Sequence, residues 1–131
     1  MAEGNGTATD EGARRRILLV DDTADIRVML RLQLQMGGVD FQEASSGEEA
    51  LALCGGEPFD LIVLDHRMPG LTGIDVARKL RTEHCPSPII MYSAYVDQAL
   101  EAEADTLDIP VIDKADQQRL REKVRAVVSV S

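Results

Sequence analysis

Three carboxylates, one hydroxyl and one ammonium stand out because each closes a short apolar run. Ile17-Leu18-Leu19-Val20 ends in the acidic pair Asp21-Asp22. Phe59-Asp60-Leu61-Ile62-Val63-Leu64 ends in Asp65. Ile89-Ile90-Met91 is followed closely by Ser93, and the stretch from Ile109 to Ile112 by Asp113 and Lys114. Brought to one place, these groups would do a definite chemistry. Carboxylates within a few ångströms of one another repel, and such a cluster persists when a hard cation neutralises it. Mg²⁺ suits, since it takes a few oxygens and keeps several waters. A hydroxyl and an ammonium beside a metal-bound carboxylate then make a receptor for a phosphoryl group. The carboxylate attacks in line, the metal and the lysine neutralise the oxygens, and the hydroxyl donates to one of them.

Whether these groups meet depends on the elements that carry them. Runs of mostly branched apolar residues mark strands buried on both faces. After Asp65-His66-Arg67, the sequence Met68-Pro69-Gly70 forces a turn, because proline fixes φ and lacks a donor. Between the runs, apolar residues recur at helical spacing. Ile26, Met29, Leu30 and Leu34 lead to a stop at Gly37-Gly38. Ser46 is a good N-cap for Ala50, Leu51 and Leu53, with Glu48 and Glu49 near the positive helix end. Ile74, Val76, Ala77 and Leu80 make a third helix closed before Pro86, Val96 to Ala104 a weakly amphipathic fourth, and Leu120, Val124, Val127 and Val128 a last one. With Val39 to Phe41 as a short second strand, five strands alternate with five helices. This predicts an α/β fold of the flavodoxin-like kind: a doubly wound five-stranded parallel sheet, order 2-1-3-4-5, with right-handed crossovers. The first and third strands then adjoin at the switch point, where open sheets place their ligands. Asp21, Asp22 and Asp65 share one rim, and Ser93 and Lys114 face it from the fourth and fifth strand ends.

Composition bounds the rest. A chain of 131 residues fits one compact domain with a real core. A formal charge of −9 argues against non-specific binding to nucleic acid or anionic membrane, whose phosphates would be repelled. No apolar run is long enough to span a bilayer, and Arg14-Arg15-Arg16 is followed by only four apolar residues, too few for a signal-peptide core. Cys54 and Cys85 have no CxxC spacing, so reduced thiols in a cytoplasm are expected. His66 and His84 lack metal-ligand spacing and are expected to be exposed polar side chains. Residues 1–13, rich in Gly, Ala, Thr and acid, read as a disordered tail. The folded domain is expected over 14–131, with no second domain and the arginine triplet as a flank of its first strand.

Each group also has an ordinary role. Asp21-Asp22 could merely cap the following helix, Asp65 could be a turn residue, Ser93 a strand-end hydroxyl and Lys114 a solvated cation. Together, four strand ends supply complementary groups to one rim, and chance becomes a poor account. From about Arg16 to Val128 the chain resembles the receiver domain of two-component response regulators. The residues that carry the likeness are Asp21-Asp22, Asp65 with Met68-Pro69-Gly70 and Gly73, Ser93-Ala94, and Lys114. The resemblance implies that Asp65 accepts a phosphoryl group from the phosphohistidine of a sensor histidine kinase or phosphotransfer protein. It also implies that Asp22, Asp65 and the backbone carbonyl of Arg67 ligate Mg²⁺, with Asp21 acting through water. Ser93 and Lys114 would bind the phosphoryl oxygens.

The sequence departs from the family pattern in three places. The proline that usually follows the lysine in a cis bond is replaced by Ala115, where a cis bond would cost about 2.5–4 kcal/mol. The switch aromatic three residues before the lysine is replaced by Val111, which leaves Tyr92 or Tyr95 as substitutes. The usual Gly-Ala-Asp-Gly turn is replaced by Glu103-Ala104-Asp105-Thr106-Leu107. Other classes fit less well. A phosphatase of the haloacid dehalogenase type needs a second Asp where Arg67 stands, and in a flavin mononucleotide binder the acidic loop from Asp21 to Asp25 would repel the phosphate. An unphosphorylated scaffold that binds a partner constitutively is the serious alternative. Arg67 could reach over the rim and screen a phosphoryl group from water, or be a solvated loop cation. The output face is expected on the fourth helix (Asp97, Glu101, Glu103, Asp105) and the last (Arg119, Arg121, Lys123, Arg125). It would serve a protein target, or a weak homodimer through the fourth helix, fifth strand and fifth helix.

Overall fold

The computed structural model describes residues 14–128, so the expected tail over 1–13 lies outside the described residues. The elements alternate as β1 (Arg15–Val20), α1 (Ala24–Leu34), β2 (Val39–Ala44), α2 (Gly47–Cys54), β3 (Leu61–Asp65), α3 (Gly73–Thr82), β4 (Ile89–Ser93), α4 (Gln98–Thr106), β5 (Val111–Asp113) and α5 (Gln117–Val128). All neighbouring strands are parallel, in the expected order β2-β1-β3-β4-β5.

Side-chain alternation along the strands sorts the core into two layers. Ile17, Leu19, Leu61, Val63, Ile90, Tyr92 and Ile112 pack with Leu30 and Leu34 of α1 and Leu120 and Val124 of α5. Leu18, Val20, Ile62, Leu64 and Met91 pack on the other side, with Ala50 of α2, Ile74 and Leu80 of α3, and Leu100 of α4. Every residue of β3 and β4 is buried. That is why these runs are apolar throughout rather than alternating. Burying each such side chain is worth roughly 1.5–3 kcal/mol, which makes the central strands the rigid frame of the rim.

The boundaries show local chemistry at work. Ser46 caps α2 as expected, its side chain accepting from Glu49 N–H. The cap of α1 is Thr23, not the acidic pair, and it makes no side-chain cap bond. α4 begins later than expected, behind Asp97, whose side chain accepts from Leu100 N–H. β5 begins at Val111 rather than Ile109. The chain is still turning at Asp108, where φ is 59°, and Pro110 brings no N–H to a ladder. His84 is exposed, as expected, in the left-handed turn that ends α3. His66 is a correction, for it is half-buried and its Nδ1 has no partner. Cys54 and Cys85 are free and half-buried, and burial pushes the Cys54 thiol up to about 11, away from thiolate chemistry. Among the described residues no helix is long and apolar enough to cross a membrane.

Candidate functional site

The rim at the carboxyl ends of the strands is fixed first by backbone. The parallel ladder continues just past the strands: Asp21 N–H donates to Ala44 O, His66 N–H to Tyr92 O, and Lys114 N–H to Ser93 O at 2.8 Å. Arg27 of α1 donates to the Asp21 carbonyl at 2.7 Å, and its Nε is paired with Glu43 at 2.9 Å. The residues carrying the chemistry are therefore held where the apolar runs stop.

Ligand atoms of Asp21, Asp22 and Asp65 lie within 4.8 Å of one another, as the strand order requires. Asp21 and Asp65 are buried and Asp22 is exposed. Lys114 bridges the two buried carboxylates, its Nζ 3.1 Å from Asp21 Oδ2 and 3.2 Å from Asp65 Oδ1. Three carboxylates face one ammonium, an all-oxygen donor set short of positive charge, which fits a hard divalent cation. The same deficit shows at Asp65. Burial first, and then the charge of Asp21, push its carboxyl up to about 6 against the opposing pull of Lys114.

Alternation explains who faces whom. Asp21, Asp65, Tyr92 and Lys114 continue the parity of Leu19, Val63, Ile90 and Ile112, and so belong to the α1–α5 side of the sheet. Asp65 pairs in register with Tyr92. The Tyr92 hydroxyl donates to Asp21 Oδ2 at 2.7 Å, a contact that sequence reasoning missed. The Ile90–Tyr92 alternation was the available signal. Ser93 has the opposite parity. It sits at the rim, but its hydroxyl donates to the Tyr95 carbonyl at 3.0 Å and accepts the Tyr95 N–H at 3.2 Å.

The loop after Asp65 is shaped by two glycines and a cap. Gly70 has φ of 79°, a left-handed conformation glycine adopts freely. Gly73 opens α3 against the backbone at the end of β3, and a Cβ there would stand 2.5 Å from Asp65 O and 2.8 Å from His66 Cα. Thr72 and Asp75 form a reciprocal capping box that fixes the start of α3. Arg67 N–H donates to Asp65 Oδ1 at 3.3 Å. Its guanidinium lies over the exposed Tyr95 ring, 5.5 Å from the centroid, so Arg67 packs on a ring and is not a purely solvated cation. Lys114–Ala115 is trans, since no peptide bond among the described residues is cis. Val111 is half-buried on β5.

A doubly wound α/β domain with an acidic, lysine-bridged pocket at its switch point defines the class. The family follows from comparison. A family model for the response regulator receiver domain matches residues 17–125, and the chain belongs to that family. Among curated relatives it is 38% identical over 118 residues to the response regulator protein PilR of Pseudomonas aeruginosa, covering 86% of this chain and 26% of that one. It is 42% identical over 90 residues to the transcriptional regulatory protein ResD of Bacillus subtilis, covering 69% and 37%. The chain thus spans well under half the length of these two relatives. Among solved structures it is similar to the response regulator TrrA of Thermotoga maritima in complex with Mg²⁺ and BeF, with TM-score 0.76, 34% identity, and 86% and 98% of the two chains covered. It is also similar to the Vibrio cholerae chemotaxis protein CheY4, with TM-score 0.78, 27% identity, and 87% and 98% covered.

Proposed function

We propose that the chain accepts a phosphoryl group on Asp65 from a histidine kinase or phosphotransfer protein, with Mg²⁺, and signals by protein–protein contact in the cytoplasm. The observation that carries this reading is the Lys114 ammonium held within 3.2 Å of both buried carboxylates, beside the exposed Asp22. The structure of the Thermotoga relative with Mg²⁺ and BeF lends support by likeness.

An Asp65 oxygen attacks phosphorus on the side opposite the donor's imidazole. The new P–O bond forms as the P–N bond breaks, and the nitrogen leaves with the electron pair. Lys114 then exchanges a carboxylate for a phosphoryl oxygen, and the Ser93 hydroxyl turns from the Tyr95 carbonyl to donate to another. Asp22, Asp65 and the Arg67 carbonyl would hold Mg²⁺, with Asp21 acting through water. When bound, the ion supplies positive charge to the phosphoryl oxygens. Asp65 is consumed in each transfer, so the domain is a self-modifying signal carrier and not an enzyme in the usual sense.

For output the α4–β5–α5 face remains the proposed surface. Glu101 and Asp105 line a hollow of about 380 Å³ there together with Val111 and Arg119. The acidic side is narrower than the sequence grouping implies, since Glu103 pairs with Arg78 of α3 at 2.7 Å and Asp97 caps α4.

Intact mass after incubation with acetyl phosphate and Mg²⁺ tests the acceptor. One phosphoryl group is expected on the wild type, none after Asp65→Asn, and none with a chelator. The same gain in the Asn variant would move the acceptor elsewhere. No gain in the wild type would favour the constitutive scaffold.

A further inference from the structure

Tyr92 is 1% exposed, and its ring is packed with Ile90, Ile112 and Leu120 on the α1–α5 side of the sheet. Lys114 Nζ stands over the ring, 4.9 Å from its centroid. Packing alone does not call for a hydroxyl here, because phenylalanine would fill the same space. A buried phenol is tolerated when it finds a partner, and this one finds Asp21 Oδ2 at 2.7 Å.

The consequence lies in how Asp21 is used. Its Oδ1 accepts the Thr23 N–H at 2.8 Å. Its Oδ2 accepts both the Tyr92 hydroxyl at 2.7 Å and the Lys114 ammonium at 3.1 Å. Two lone pairs on one oxygen are thereby filled. Lys114 is on a long flexible stem and can leave for a phosphoryl oxygen, whereas Tyr92 is locked in the core and cannot follow. With or without Lys114 beside it, the hydroxyl would keep Asp21 in its orientation.

We infer that Tyr92 is a positioning residue of the acidic pocket, its hydroxyl holding Asp21 in the orientation that gives the pocket its Mg²⁺ affinity. This rests on reading the rim as a Mg²⁺ pocket. Residues that orient metal ligands from behind typically change affinity 10–100-fold when removed.

Calorimetric titration with MgCl₂ should show Tyr92→Phe binding about tenfold more weakly than wild type. A second measurement keeps Tyr92 in place. The chain has two tyrosines and no tryptophan, so in a Tyr95→Phe background all intrinsic fluorescence comes from Tyr92. Mg²⁺ should change that emission with the midpoint found by calorimetry. Equal or tighter binding by Tyr92→Phe, or Tyr92 emission unmoved at saturating Mg²⁺, overturns the role of Tyr92 and leaves the pocket standing. If the unsubstituted protein takes no Mg²⁺, the pocket reading falls and this inference with it. Should Tyr92→Phe fail to fold, the emission experiment decides.

Discussion

Asp65 carries the electrostatic tension of the pocket. Its carboxyl sits near 6 because burial and the neighbouring Asp21 disfavour the charged form more than Lys114 restores it. A folded-state value above the unfolded one means that the folded chain binds the extra proton. Asp65 therefore contributes stability that is complete below about pH 4 and is lost as pH rises through about 6. Other carboxylates act in the opposite sense, such as Glu43, held below its usual range first by its hydrogen bond to Arg31. Comparison with an Asn variant isolates Asp65. In a chelating buffer, Asp65→Asn should match the wild type near pH 4 and exceed it by about 1–3 kcal/mol above pH 6.5. Urea unfolding across that range checks this, and a difference that does not grow with pH would sink it. Added Mg²⁺ should narrow the gap by stabilising the wild type.

Among the elements, α3 and the loop before it determine how steadily Asp65 is presented. Because the Cβ of an alanine at 73 would meet backbone atoms of Asp65 and His66, the strand or the helix must shift. Gly73→Ala should destabilise by about 1–3 kcal/mol through overpacking, against a helix-propensity gain of at most about 1 kcal/mol. It should also slow phosphorylation by acetyl phosphate, and a variant of wild-type stability and rate would contradict this. Such crowding is invisible in sequence, where Gly73 could be quoted only as part of a motif. What was legible were the strand ends. A parallel strand buried on both faces must be apolar, so the first polar residue after it marks the rim, as at Asp21, Asp65 and Ser93. The strand order placed the three carboxylates together. What was not legible needed tertiary geometry. The bond from Tyr92 to Asp21 crosses two strand positions, the late start of β5 depends on the turn at Asp108, and the Ser93 hydroxyl is turned by a local loop. The half-burial of His66 follows from the packing of its loop, which no local spacing records.

Over the whole molecule, charge is distributed unevenly around a net of −9. Arg119 of α5 lines the same hollow as Glu101 and Asp105 of α4, so that face offers both signs to a partner. Association driven by it should weaken with salt, because exposed charges are screened within about 8 Å at physiological ionic strength. Sedimentation with and without beryllofluoride, at low and high salt, reads this directly, and a monomer under all four conditions would leave a different protein as the partner. The bridge from Lys114 to Asp21 spans 93 positions of the chain. Its wider meaning is kinetic. A pocket drawn from the first, third and fifth strands exists only when the whole sheet has closed, and contacts of such long range form late. A cation that recognises this pocket is met by the finished fold and by nothing on the way to it. Mg²⁺ should therefore leave the refolding rate unchanged and lengthen the lifetime of the native state, lowering only the unfolding arm of a denaturant chevron. The ion would act as a latch on a door already shut.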